Sequence, residues 1–413
     1  MTTRISKLAT QNYKNLWLAE GLPLQALNLF IGPNGSGKSN LLNVLRFLKD
    51  ATTAPADESR GVTGFEDAVF KLGGHKILDA SVESPAKVSF NYEFSSPDMD
   101  RDIYFGLSLL VQGKRVSVTG EQLNAPHRAK PPILYYRGED NTVRFLPDND
   151  KIAPLQPPEN DLVLVKMPTP RENGKVSPEE LVTYKVRNQL LETMAQWRFY
   201  NANDMNLGEI RRSEPKLGPS DKFVSASGNN LSLVLHNLTQ ESLDFEERIN
   251  NAMRAVLPTT RRVRAVASGR LSVTTEWHFA DVKTPFYLDE MSDGTVRMLC
   301  WASILHSPLL PSLLVIEEPE IGLHVAWLRV LAEWIKAASQ KTQIIISTHS
   351  PDLLDYFTDR VDSVYVFHAA EGDQAHFAVK QLSQAMVAPW LEDGWQLGDL
   401  YRVGDPSIGG WPW

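Results

Sequence analysis

The chain has 413 residues, 42% hydrophobic and 22% charged, an ordinary globular balance at a length that suggests two lobes or one enlarged domain. Its formal net charge of −8 argues against a surface coated in basic residues for non-specific nucleic-acid binding, though not against a local basic face. Cys300 is the only cysteine, which excludes an intrachain disulfide and a thiolate metal cluster, and its apolar neighbours mark it as a buried structural thiol. The nine histidines show no metal-ligand spacing. The first residues lack the pattern of a cleaved leader and no run reaches membrane-spanning length, so no membrane association and a cytoplasmic location are expected.

Residues 1–31 read as two or three strands with turn signals at Asn12 and Gly21, and Tyr13 or Lys14 is a candidate neighbour of a bound base. The run Leu27–Ile31 has the length of a buried strand. It breaks at Gly32, and Leu41, Leu42, Leu45 and Leu48 follow at helical spacing. Between them, Gly32-Pro33-Asn34-Gly35-Ser36-Gly37-Lys38-Ser39 fits the phosphate-binding loop in its strand–loop–helix context. Glycines let successive backbone N–H groups turn inward around phosphate oxygens, and the helix N-terminus adds partial positive charge. Lys38 can reach the β- and γ-phosphates, and the Ser39 hydroxyl can ligate Mg²⁺. Asn34, Gly35, Ser36, Gly37, Lys38, Ser39 and Asn40 form the candidate nucleotide-binding set, and the ligand expected is a nucleoside triphosphate.

Thr52–Gly64 reads as a loop, and Lys87–Phe94, Ile103–Val111, Ile133–Arg137 and Thr142–Leu146 as half-buried antiparallel strands. The proline-rich stretch Asn149–Glu180 reads as a long surface excursion. Helices are expected at Leu181–Trp197, Asn230–Leu238 and Glu241–Val256, and paired strands at Arg262–Val266 and Arg270–Phe279. From Gly294 onward, helices alternate with the short apolar strands Leu313–Ile316, Ile344–Ser347 and Val364–Phe367, which implies a parallel sheet with crossover helices. Trp390, Trp395, Trp411 and Trp413 crowd the tail, where core packing is favoured over a protein contact.

Leu313–Ile316 runs into Glu317-Glu318, and carboxylates at the C-terminal end of a buried parallel strand sit where α/β sheets bind ligands. Glu317 can hold Mg²⁺ and Glu318 can orient and deprotonate a water. Gln343–Ser347 likewise ends in Thr348-His349-Ser350, which would bring the His349 ring near the same phosphate. Ser292 and Gly294 precede a helix, with Ser292 either a plain N-cap or part of a second phosphate-binding helix N-terminus. Arg254, Arg261, Arg262, Arg264 and Arg270 form the densest basic stretch, read as a solvated strand face in preference to a phosphate contact.

The order GPNGSGKS, MSDGT, LLVIEEPE, IGLH, ISTHS resembles the ATP-binding-cassette (ABC) ATPases. Within them it resembles the soluble branch of SMC proteins, RecF and the overcoming-lysogenization-defect nucleases, and WRFYN, SGNNLSLVL and LGDLYRVGDPSIGG look like a stand-alone ATPase subgroup of it. The resemblance implies an α/β head with a β-rich lobe and a helical signature lobe, without a long coiled coil. It also implies ATP and Mg²⁺ as ligands. Lys38 and Ser39 would be the Walker A lysine and metal ligand, Glu317 and Glu318 the Walker B pair, and His349 the switch histidine. Ser292 and Gly294 would be the signature facing ATP on an opposite subunit, and Gln196 the Q-loop metal ligand. The expected segments are 1–200 with Walker A, 201–300 as the helical lobe, and 301–413 returning to the core sheet.

Glu317 stands where relatives carry aspartate, Val325 follows His324 where many have proline, and MSDGT differs from the transporter signature. No segment suits a long coiled coil or a nuclease domain. The implied activity is ATP hydrolysis by a homodimer with ATP sandwiched at its interface, serving DNA maintenance or phage defence. The competing expectation is an ATP-dependent scaffold that holds an effector protein, a nuclease or toxin, with little hydrolysis.

Overall fold

A computed structural model describes residues 3–55, 62–97, 102–125, 133–139, 142–145, 152–153, 160–167, 178–370 and 373–409. In chain order the strands are β1 (Arg4–Tyr13), β2 (Leu16–Pro23), β3 (Leu27–Ile31), β4 (Ala86–Ser95), β5 (Ile103–Gln112), β6 (Arg115–Ala125), β7 (Ile133–Glu139), β8 (Thr142–Phe145) and β9 (Ile152–Ala153). They continue with β10 (Arg198–Asn201), β11 (Thr260–Ser268), β12 (Ser272–Phe279), β13 (Phe286–Tyr287), β14 (Leu313–Glu317), β15 (Gln343–Ser347), β16 (Val364–Ala370) and β17 (Asp373–Gln381). The helices include α1 (Lys38–Thr53), α2 (Asp293–Leu305), α3 (Val325–Ser339) and α4 (Pro351–Asp355).

The chain divides into two compact units. The first comprises Met1–Gln25, Ile31–Trp197 and Tyr365–Gln381. Its strands run in the order β16-β17-β2-β1-β4-β5-β6-β7-β8-β9, antiparallel at every pairing except β17 with β2. In β4 the residues Val88, Phe90, Tyr92 and Phe94 are buried and their neighbours are not, the alternation of a strand with one covered face. Helix α1 covers it: the Tyr92 hydroxyl donates to the Val44 carbonyl at 3.1 Å, and Phe47 packs on Phe90 with ring centroids 5.6 Å apart. Leu41, Leu42, Leu45 and Leu48 are buried on α1, each worth about 1.5–3 kcal/mol when fully removed from water.

The second unit comprises Ala26–Phe30, Arg198–Val364 and Leu382–Trp413. Its strands β10-β14-β15-β3 are parallel neighbours, and every residue of β14 and β15 is buried, as for strands covered on both faces. The helices Leu231–Glu241 and Leu243–Val256 and the small antiparallel sheet β11-β12-β13 complete it. The fold is α/β with a β-rich part and a helical part. Among the described residues there is no coiled coil: the longest helix, Pro178–Ala195, has 18 residues.

Several local expectations need correction. On one side β16 pairs antiparallel with β17, a strand whose half-polar sequence gave no signal. Gly21 is no turn but lies inside β2 at φ 79, where the register with β1 jumps from Leu8↔Leu22 to Thr10↔Leu18. The region read as a loop before Gly64 gives way at once to a helix, Gly64–Leu72, started by a Thr63–Glu66 capping box. Trp390 and Trp395 pack on each other with centroids 5.6 Å apart yet remain 39% and 37% exposed, so neither sits in the core. Most of the Asn149–Glu180 excursion, together with Trp411 and Trp413, lies outside the described residues.

Candidate functional site

In the first unit the phosphate-loop motif is a tight turn leading into α1. A Cβ on Gly32, at φ 144, would stand 2.6 Å from the Phe367 carbonyl oxygen, and one on Gly37, at φ 93, would stand 2.5 Å from Leu16 Cδ2. Only glycine permits both the angle and the approach there. The Lys38 ammonium folds back into the turn, donating to the carbonyls of Gly32 at 2.7 Å and Pro33 at 2.9 Å and to Ser36 Oγ at 3.4 Å. It is 6% exposed, and Ser36 is fully buried. Asn34, Gly35 and Ser39 are exposed along the rim.

The brace of this turn comes from residues that the sequence did not single out for it. Asn15 donates to the Gly35 carbonyl at 3.0 Å and accepts from the Asn40 amide at 2.8 Å, while Lys14 Nζ donates to Asn40 Oδ1 at 3.1 Å. Asn40 therefore supports the loop rather than lining it. Asn12 and Lys14 both take positive φ, at 56° and 47°, to shape the β1–β2 turn. Tyr13 is fully buried, with its hydroxyl on the Asn40 carbonyl at 3.3 Å, so it cannot stack on a base.

In the second unit the parallel registers align Asn201 with Glu317, Glu317 with Ser347, and Ser347 with Phe30. One further bond carries each pairing past the strand end: Ala202 N–H to the Glu317 carbonyl at 3.1 Å, Glu318 N–H to Ser347 at 2.8 Å, and Thr348 N–H to Phe30 at 3.1 Å. This row gathers Glu317, Glu318 and His349, and β3, its last member, runs on covalently into Gly32. Glu317 is 9% exposed, whereas the Glu318 side chain is about a third exposed. Glu318 takes φ 50, a left-handed conformation that a residue with a side chain holds only where its surroundings enforce it. Its Oε2 accepts from Asn203 Nδ2 at 3.1 Å, and its Oε1 lies 3.9 Å from His349 Nε2, beyond hydrogen-bonding distance but within reach of one water lying beside both.

Ser292 is the N-cap of α2, exposed, with its Oγ accepting from Thr295 N–H at 3.3 Å. Arg211 braces the same turn, donating to the Met291 carbonyl at 2.6 Å and pairing with Asp293 at 2.5 Å. A Cβ on Gly294 would meet Trp327 Cζ3 at 2.9 Å, so glycine there lets α2 close on the start of α3. Helix α2 is tied to two strand ends of the row: Arg297 donates to the Ala202 carbonyl, and Trp301 Nε1 donates to the Pro319 carbonyl at 3.2 Å.

Gln196 is exposed after the helix Pro178–Ala195, in the first unit, and Glu317 aligns with the end of β10 in the second. Asn201 at that end and Asn203 just past it are the polar neighbours of the acidic pair, on a strand that was not expected from the sequence. Two arginines of the basic stretch are neutralised, Arg262 by Glu246 and Arg264 by Glu276 at 2.9 Å. Cys300 is fully buried, and burial pushes its thiol up to about 12.

No cluster of three His, Cys, Asp or Glu side chains able to hold a metal occurs among the described residues. The Ser39 hydroxyl, exposed on the first turn of α1 in the first unit, and the Glu317 carboxylate, ending β14 in the second, are each the kind of hard oxygen donor that Mg²⁺ takes alongside phosphate and water.

A family model described as "AAA domain, putative AbiEii toxin, Type IV TA system" matches residues 27–355. The chain belongs to this family. It is also similar to two proteins named "DNA replication and repair protein RecF". The one from Enterococcus faecalis is 26% identical over 207 residues, 47% of this chain and 45% of that protein. The one from Desulforamulus reducens is 27% identical over 85 residues, 21% of each. The chain thus spans less than half the length of these relatives. Among solved structures, an SMC head bound to the C-terminal winged-helix domain of ScpA superposes with a TM-score of 0.54 at 13% identity, covering 92% of this chain and 98% of that one. An SMC head with an extended coiled coil, bound to the C-terminal domain of ScpA derived from Pyrococcus furiosus, gives 0.51 at 13% identity over 95% and 99%. Family and fold are those of ABC-type P-loop ATPases of the SMC/RecF branch.

Proposed function

We propose that this AAA-family protein binds ATP with Mg²⁺ and hydrolyses it as a homodimer. Glu318 carries the reading: a carboxylate held at φ 50 beyond a buried strand, between the Asn203 amide and the His349 ring, is built to hold a water. The loop N–H groups and the start of α1 bind phosphate oxygens, and Lys38 exchanges its carbonyl partners for them. Ser39 and Glu317 would be the protein oxygens for Mg²⁺, which would supply positive charge against the phosphates. Glu318 orients the attacking water and takes its proton, and the His349 ring, 3.9 Å from the same carboxylate, hydrogen-bonds that water from beside it. Ser292, exposed on its N-cap, meets the nucleotide bound by a second copy.

Losing a positioned base lowers rates about 10²–10⁴-fold. Glu318→Gln should therefore bind ATP, hydrolyse it at least a hundredfold more slowly, and accumulate as an ATP-bound dimer in light scattering. Parent-like hydrolysis by that variant would sink the assignment. The family description names a toxin and the RecF relatives are named for DNA replication and repair, which supports a cytoplasmic role in phage defence or DNA maintenance. The scaffold reading draws on the SMC heads bound to ScpA: this head would hold an effector protein. Steep loss of DNA binding with salt supports the first role; a co-purifying protein partner with negligible DNA affinity supports the second.

A further inference from the structure

Glu320 is the third acid of Glu317-Glu318-Pro319-Glu320, and nothing above assigns it a role. The chain turns sharply after β14, with Ile321 N–H on the Glu318 carbonyl at 3.2 Å and Leu323 N–H on the Glu320 carbonyl at 3.1 Å. That turn sends the Glu320 carboxyl back beneath the end of β15. There one oxygen, Oε1, accepts from the Thr348 hydroxyl at 2.5 Å and from the His349 backbone N–H at 3.3 Å. Thr348, 1% exposed, passes the constraint on, because its Oγ1 also accepts from Ser350 N–H at 3.0 Å. Ser350 in turn caps α4 by accepting from Leu353 N–H at 3.1 Å. The residues on both sides of the His349 ring are thus bonded, directly or through Thr348, to one carboxylate oxygen.

We infer that Glu320 is the positioning residue for His349, fixing the ring opposite Glu318. The inference rests on the hydrolytic reading of Glu318 and His349 given above. Oε1 of Glu320 is taken up by Thr348 and the His349 main chain, while Oε2 is buried without a hydrogen-bond partner. Burial raises its pKa, and the nearby Glu318 charge raises it further, so this carboxyl is held there at an electrostatic cost that plain turn formation does not require. A residue that orients a site group through its backbone and neighbour commonly accounts for about 10–100-fold in activity.

The test compares Glu320→Gln, Glu320→Ala and Thr348→Val in the full chain, with steady-state ATP hydrolysis and with histidine-labelled NMR in which His349→Gln assigns the ring. Glutamine keeps an acceptor oxygen at the same reach; alanine does not. The expected result is a kcat lower by about 10–100-fold in Glu320→Ala with KM for ATP within twofold, near-parent kcat in Glu320→Gln, and a displaced His349 ring resonance in the alanine variant alone. Parent-like kcat in Glu320→Ala, or equal damage in the glutamine and alanine variants, would overturn the inference. Should Glu320→Ala not fold, Thr348→Val carries the measurement: a moved ring resonance and lowered kcat support the inference, and neither moving overturns it. If the parent hydrolyses no ATP, the hydrolytic reading has failed by itself. The ring resonance still decides the positioning: moved by alanine and restored by glutamine supports it, unmoved overturns it.

Discussion

Replacing Glu121 with glutamine isolates one buried charge in the first unit. Glu121 sits on β6 with Oε1 accepting from the Tyr136 hydroxyl at 2.6 Å and Leu164 N–H at 2.8 Å, and Oε2 accepting from Val163 N–H at 2.8 Å. Burial outweighs these three donors and pushes its carboxyl from 4.5 up to about 7. The folded chain therefore holds this proton more tightly than the unfolded one. Its contribution to stability is full below pH 4.5 and is lost as pH rises through about 7. At about 1.4 kcal/mol per pH unit, that window amounts to about 3 kcal/mol. Glutamine removes the titration but turns an N–H₂ toward one of the backbone donors, a mismatch of about 1–3 kcal/mol at every pH. Urea unfolding of both chains at pH 5, 6, 7 and 8 should show the parent well ahead at pH 5 and that lead shrinking by about 2.5 kcal/mol toward pH 8. A parent-minus-variant difference that stays flat across that range would refute the reasoning, because every other titrating group cancels in it.

Gly294→Ala forces a methyl to 2.9 Å from the Trp327 ring and should cost about 1–3 kcal/mol in the same unfolding assay; an unchanged midpoint would mean that α2 and α3 do not close as described. Asn203→Asp replaces the amide donor on Glu318 with a second negative charge at about the same distance, so ATP hydrolysis should fall at least tenfold while nucleotide binding holds; equal turnover would remove Asn203 from the site. Cys300 should resist thiol reagents at pH 8 in the folded chain and react at once in denaturant, and rapid native labelling would contradict its burial.

What the sequence disclosed follows how locally each feature is encoded. The phosphate loop is eight consecutive residues whose glycines and lysine have no other economical reading, and Leu313–Ile316 followed by two acids announces a buried strand with a polar end. The fold class followed from the same elements. Asn203 and Glu320 were hidden because their use depends on turns of β10 and β14 that no periodicity records. Gln196 was named through the family resemblance and not through any local signal. Asn15 was equally silent, since its partner Gly35 lies twenty residues on.

The conformation of Glu318 sets stability against function at a single backbone position. A left-handed residue with a side chain carries about 1–3 kcal/mol of strain that glycine would not. Glu318→Gly would relieve it and remove the carboxylate in the same step, yielding a firmer and chemically silent chain. Drift toward greater stability at this position therefore runs toward inactivity, and screening variants for thermal resistance alone would be expected to select against the acid.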